Sequence, residues 1–429
     1  MASTPGESLV ADSDLADAYT YVLGRYLVIR QEHQDLVEDG VDYNTLKHSP
    51  PVVGGASASA APTFVNPNLD VVYSEAWIAV DRDTPVLLTV PEVPDGRYYT
   101  AQIVDEWAEI LHNVNDRNFP DHPHGRFAIC LTGSNPPVPD DCVRLDVPSS
   151  KAKLLARVAI GDSVEEAVRL QHGFEIETAG TPIVQPAVPV EPFTNRDLPG
   201  AWMFEPERLR GALAAPDSCP KAGDVRPTVD RIAELVARSE QDRAAVDDAI
   251  RRVAIPEFMQ CLAGFSKPVN GWGSTGARTA FGDDWRFRTI ANWGGIWWNS
   301  ALEVIYYLLT PDATGHWPSG QGTYTLRFAG DDLPASHVHA FWSLTLYSHP
   351  DMRLVPNQLG RYSFGPGSDL VPDDDGGFTI HLAPERPPQA PESNWLPTPT
   401  EGEFTVVLRL YLPTDDIREG TWNPPPMSR

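Results

Sequence analysis

The 429-residue sequence predicts a mainly β protein with an α-helical connector: an N-terminal immunoglobulin-like β-sandwich, a helical middle segment and a C-terminal jelly-roll-like sandwich. Three observations carry this. Between Asn66 and about Ile160, short runs rich in Val, Ile, Tyr and Leu alternate with turn clusters such as VPDG, PDHPHG and GSNPPVPDD, as in an antiparallel sandwich. The middle holds IAELVARSEQDRAAVDDAIRRV, with helical period and many charges for a solvated face. From Thr323 to Leu412 the runs YTLRF, HAFWSLTLY, FTIHL and FTVVLRLYL return to strand character, punctuated by Gly, Pro and Asp. A chain this long exceeds what one hydrophobic core serves. We divide it into an N-terminal helix and arm (1–48), a first sandwich (49–162), a helical connector (163–310) and a second sandwich (311–429).

In chain order, Leu15, Tyr19, Val22, Leu23, Tyr26 and Leu27 recur at three- and four-residue intervals and predict an amphipathic helix over 14–38, ending near Gly40. Residues 49–63, SPPVVGGASASAAPT, are small and Pro-flanked and read as an arm. After the first sandwich, SVEEAVRLQH starts with Ser163 and carries Glu166 three residues later, a capping pattern for a short helix. The Pro-rich TPIVQPAVPVEPF breaks regular structure until about 204. Helices follow over 205–262, and a further apolar helix is expected over 298–309.

Net charge is -26 with a pI near 4.7, so the surface repels phosphate backbones and anionic headgroups. Nucleic acid and membrane are therefore poor partners. No run reaches the roughly 18 apolar residues that span a bilayer. The opening MASTPGESLVADSDL carries acids where a secretory signal needs a basic start and an apolar stretch, which places the protein in the cytoplasm. Four cysteines do not make a disulfide scaffold; Cys130 and Cys142 flank a Pro-rich turn and can face each other across a hairpin, and reduced thiols are expected.

Several constellations carry chemistry. Asn66, Asn68, Asp70 and Tyr73 concentrate polar groups where the arm meets a strand; period two sets Asn68 and Asp70 on one face, where they converge either on a ligand or on an Asx-type turn. In RYYTAQIVDEW the alternation sets Tyr99, Ala101, Ile103 and Asp105 against Tyr98, Thr100, Gln102 and Val104. Asp105 neighbours Glu106 and Glu109, and crowded carboxylates split their pKa values. The segment FGDDWRFRTIANWGGIWWNSALEVIYY sets Trp285, Trp293, Trp297 and Trp298 near Asn292 and Asn299, a stacking wall in which amides read polar edges, or else core packing. HAFWSLTLY alternates Trp342, Leu344 and Leu346 with Phe341, Ser343, Thr345 and Tyr347, and FTVVLRLYL sets Arg409 and Tyr411 opposite an aliphatic core face. His122 with His124 and His337 with His339 each offer two ligands on a strand, but no third completes either set, so no metal is assigned. Nucleophile elbow, phosphate-binding loop, dinucleotide fingerprint and zinc-protease motif are all missing.

FWSLTLY, RYSFG, NWLP, RLYLP and GTWNPP together resemble the bacterial domain of unknown function 1214; NPNLDVVYS with RYYTAQIVDEW resembles its usual N-terminal partner, domain of unknown function 1254. The resemblance implies the order sandwich, connector, sandwich. Its pattern usually has Thr where Val71 stands, and its Arg, Asn, Glu and Tyr in the Trp-rich region correspond to Arg288, Asn299, Glu303 and Tyr306, the extra tryptophans being a departure. Related proteins often begin with a signal peptide.

The expected function is a cofactor-free acid–base enzyme or enzyme-like pocket between the first sandwich and the Trp-rich segment. Its substrate would be a small neutral carbohydrate-like or polycyclic molecule. Tyr73 and Asp70 would handle protons with Asp105 assisting, while Asn68, Trp293, Trp297, Asn299 and Arg288 would bind the ligand. The alternatives are a non-catalytic glycan- or metabolite-binding protein and an assembly protein that uses its sandwich faces as a homo-oligomer interface.

Overall fold

The computed structural model describes residues 10–51, 66–178, 180–312 and 315–429. The fold is mainly β, with two two-layer sandwiches joined through a helical layer. Most of the expected arm, residues 52–63, lies outside the described residues. No helix among the described residues is long and apolar enough to cross a membrane.

Helix α1 (Asp12–His33) is buried on almost every side from Leu15 to Ile29, which corrects the expectation of an amphipathic surface helix. Its polar groups are buried with partners: Arg25 donates to the Ala212 carbonyl and to Glu106. Strands β1 (Lys47–His48), β2 (Val71–Ala79), β3 (Val86–Val90), β4 (Tyr99–Val104), β5 (Ile110–Val114), β6 (Gly125–Leu131), β7 (Cys142–Val147) and β8 (Lys151–Ala159) follow. Helix α2 (Val164–Gln171) comes next, and the Ser163 hydroxyl caps it by accepting from the Glu166 N–H. Strand β9 (Glu175–Thr178) completes the first sandwich, whose sheets run β1-β2-β8-β4-β5 and β7-β6-β3-β9. Period two decides what each face does: Val72, Ala76, Ile78, Ala101, Ile103, Leu154 and Ala156 pack on Leu88, Phe127 and Ile129 of the opposing sheet. The outer face of the first sheet is left with Tyr73, Glu75, Trp77, Gln102, Lys153 and Arg157, and it too is covered.

The cover is helical on one side. Helices α3 (Pro206–Ala212), α4 (Ala222–Arg238), α5 (Glu240–Ala249) and α6 (Ile255–Ala263) pack around α1. Strand β10 (Trp272–Ser274) then precedes α7 (Trp285–Gly295), which crosses α1 closely at Gly24, where an added Cβ would meet the Thr289 Oγ1 at 2.3 Å. Thr289 donates to the Thr20 carbonyl and Asn292 to that of Gly24.

The second sandwich consists of β10, β11 (Val304–Leu309), β12 (Tyr324–Phe328), β13 (Trp342–His349), β14 (Ser363–Phe364), β15 (Phe378–Ala383), β16 (Trp395–Pro397) and β17 (Glu403–Tyr411), followed by α8 (Asp415–Arg418). Its sheets run β10-β11-β17-β13-β14 and β12-β15-β16. Trp342, Leu344, Leu346, Phe404, Val406, Leu408 and Leu410 fill its core, the face that alternation predicts.

Two expectations are corrected. The segment 298–309 is a turn and strand β11 rather than a helix; VIYYLL is β-branched and aromatic, and it pairs antiparallel with β17 from Val304↔Tyr411 to Leu308↔Val407. Strands β6 and β7 run parallel, so the Pro-rich segment between them is a crossover and not a hairpin. Cys142 sits opposite Arg126 and Cys130 opposite Asp146, and all four cysteines are free.

Candidate functional site

Strand β8, KAKLLARVA, carries cations at 151, 153 and 157, all on the outer face of an otherwise apolar strand. Three cations buried in a row need compensation. Lys151 pairs with Glu32 at 2.9 Å, and Lys153 pairs with Asp35 at 2.9 Å and Glu75 at 3.0 Å, both acids of α1 and its continuation being aimed at β8. Burial opposes the charge on Lys153, but Glu75 and Asp35 outweigh it and raise its pKa. Arg157 breaks the pattern. It donates to the Gln102 side-chain oxygen at 2.6 Å and to the Trp297 carbonyl at 3.0 Å, lies 5.6 Å over the Tyr73 ring, and pairs with no carboxylate among the described residues.

Opposite it stands the outer face of the second sandwich, where Arg409 of β17 is equally buried. Arg409 donates to Thr345 Oγ1 at 3.1 Å, Tyr347 OH at 2.8 Å and Asn66 Oδ1 at 2.8 Å, again without a carboxylate pair. The seam between the two sheets is therefore lined by two guanidiniums and by Tyr73, Tyr98, Tyr306, Tyr347 and Tyr411. Tyr98 and Tyr411 meet edge to face at 5.0 Å, and Phe341 stacks on Tyr411. The segment from Asn66 to Asp70 crosses the seam: Tyr347 donates to the Pro67 carbonyl, Asn68 Nδ2 donates to Tyr411 OH, and the Asp70 N–H donates to Asn68 Oδ1 at 2.8 Å. Asn68 thus forms the Asx turn and also reaches the opposite sandwich.

The seam is rich in donors and poor in acceptors. Burial pushes the Tyr98 and Tyr411 phenols well above their usual range and Tyr306 up to about 12, so these hydroxyls stay protonated. Burial also raises the Asp70 pKa, against the pull of the Ser343 hydroxyl and the Arg409 charge. Ser343 and Asp70 face each other across the seam, whereas Tyr98 OH is sealed from solvent without a hydrogen-bond partner, which costs about 1–3 kcal/mol unless something satisfies it. Tyr73, Tyr306 and Asp70 keep partial exposure, so the seam reaches the surface on their side. Four non-glycine residues around it have left-handed backbones: Asn66, Trp297, Met352 and Leu412, with φ of 57°, 67°, 51° and 51°. For Trp297 this conformation costs on the order of 1–3 kcal/mol, and its carbonyl is the one that meets Arg157.

The structure brings Tyr73, Asp70 and Asn68 to the seam, with Trp297 attached through its carbonyl. Gln102 Nε2 reaches the adjoining Trp298 carbonyl at 2.7 Å, and buried Asn299 follows with its Nδ2 unpartnered. The tryptophans do not form one wall: the Trp297 ring packs on Trp77, Trp298 on Phe281 and Phe287, and Trp285 and Trp293 with the helical core. Asp105 and Arg288 belong to a second buried cluster beneath Trp107. Arg288 clamps Asp217 at 2.8 and 2.7 Å and lies 5.0 Å over the Trp107 ring. Burial lifts the Asp105 pKa to about 7, against the pull of Arg288 and of the Glu109 and Trp107 N–H groups. Sequence reasoning missed Arg157, although its parity with Lys151 and Lys153 in β8 was a readable signal. His337 lies between Asp332 and Asp416, and no group of three or more His, Cys, Asp or Glu suited to a metal occurs among the described residues.

Residues 43–178 match the family described as protein of unknown function DUF1254, and residues 303–415 match protein of unknown function DUF1214. The chain is a two-domain DUF1254–DUF1214 protein. The seam lies between the two matched regions, and its lining residues come from both. The VPA0106 protein from Vibrio parahaemolyticus has the same fold at 20% identity and a TM-score of 0.66, covering 98% of this chain and 99% of that one. A putative uncharacterized protein from Burkholderia cenocepacia aligns at 13% identity and a TM-score of 0.43, over 94% of this chain and 92% of that one. No curated protein matches.

Proposed function

We propose that the seam between the two sandwiches is a small-molecule site with acid–base capability and no cofactor of its own. One observation carries the reading: at the seam the buried Arg157 has no carboxylate partner among the described residues, and the buried Tyr98 hydroxyl near it is unpartnered. A stable protein leaves few such groups unmet, and a bound molecule would satisfy them. In this reading Asp70, held toward its neutral form, and the half-buried Tyr73 phenol handle protons, while Asn68 and the 297–299 turn shape the wall. Asp105, Trp293 and Arg288 are left to the helical-side cluster. The two-layer build and largely antiparallel pairing support immunoglobulin-like and jelly-roll-like descriptions of the sandwiches.

The test is a thermal-shift screen of a metabolite library on the wild type and Tyr98→Phe. Compounds that stabilise the wild type and lose that effect in Tyr98→Phe, whose own melting point stays level or rises, support the site. Stabilisation that ignores the substitution would remove it.

A further inference from the structure

Resting on that reading, the chemistry of the lining names the ligand. We propose that the seam takes the carboxylate of a small aromatic acid: Arg157 anchors the anion, Tyr98 donates to it, and the Tyr73 and Tyr306 rings flank its flat body. Lys151 and Lys153 share the outer face of β8 with Arg157, and each has a carboxylate within 3.0 Å, whereas Arg157 has an amide oxygen and a carbonyl only. A buried guanidinium without a counter-charge is costly, and a planar carboxylate is the group its fork fits best. The nearby acids are not free to serve. Glu303 accepts from Arg117 at 2.8 Å and Asn115 at 3.0 Å, and Asp70 is held toward neutrality and lies closer to Arg409. The phenols stay protonated, so they add donors rather than charge. An anion entering here would meet an uncompensated cation and the unpartnered Tyr98 hydroxyl, and a neutral sugar would leave the cation as it was.

The test is calorimetric titration of the full chain, in low-chloride buffer, with benzoate and with benzamide, its neutral analogue of the same shape. Benzoate should bind at least about 10-fold tighter than benzamide, the ratio expected from one charge-assisted pair. Arg157→Gln should lose that preference while keeping benzamide affinity, and Arg157→Lys, which keeps charge without the fork, should fall between. Equal binding of the two probes, unaltered benzoate affinity in both Arg157 variants, or no benzoate binding would each overturn the proposal. If benzoate fails while the metabolite screen yields neutral compounds that depend on Tyr98, only the assignment of an anion falls. If the screen is also empty, the seam reading falls with it.

Discussion

Asp105 offers a perturbation whose sign and size follow from geometry. Its Oδ1 accepts the Trp107 and Glu109 N–H groups at 2.8 Å each, its Oδ2 has no partner, and burial raises its pKa from 3.8 to about 7. The folded state therefore holds a proton that the unfolded state has released between about pH 4 and pH 7, and the free energy of unfolding must fall as pH rises through that window. A shift of about three units at ~1.4 kcal/mol each makes the full swing ~4 kcal/mol. Asp105→Asn keeps the Oδ1 acceptor and cannot ionise. Urea unfolding of both proteins should show the wild type losing stability relative to the variant between about pH 4 and pH 7, and the variant should be more stable by roughly 2–4 kcal/mol near pH 8. A variant that parallels the wild type at every pH, or is weaker near pH 8, would show that this carboxyl is not sealed as described.

Three further outcomes test other parts of the fold. Lys153→Met strands Asp35 and Glu75 against each other and should cost about 3–5 kcal/mol in denaturant melts, with part of it recovered in Lys153→Met/Glu75→Gln. Gly24→Ala presses a methyl group onto the Thr289 hydroxyl at the α1–α7 crossing and should lower stability by about 1–3 kcal/mol, a loss that Thr289→Ala, which removes the clashing oxygen, eases, read by thermal melting. Tyr73→Phe should leave the melting point of the free protein near that of the wild type while abolishing turnover of any compound the screen identifies, since Tyr73 is half-buried and its contact to Arg157 is through the ring face.

Much of this was legible where alternation rules. HAFWSLTLY and FTVVLRLYL divided their residues between core and outer face as period two requires, and Ser163 with Glu166 marked a true helix start. Arg361 donates to the Glu392 and Trp395 carbonyls, and such acceptors leave no trace in side-chain patterns. The failures share one cause, tertiary context. VIYYLL suits strand or helix until β17 is there to pair with it, and α1 reads as amphipathic because Asp35 and Glu32 look solvated until Lys153 and Lys151 face them. The tryptophans of 285–298 are adjacent in sequence, yet they turn into three separate clusters because α7 ends at Gly295 and the chain reverses through Trp297. The seam itself joins residues about 340 apart, such as Asn68 and Tyr411, which no local pattern could bring together.

Whether the seam holds a molecule would be measured by a crystal structure of the full chain grown with the strongest stabiliser from the screen. Non-protein density within hydrogen-bond distance of Tyr98 OH, beside Arg157, is the expected result. A dry, closed seam with the compound bound elsewhere would contradict it.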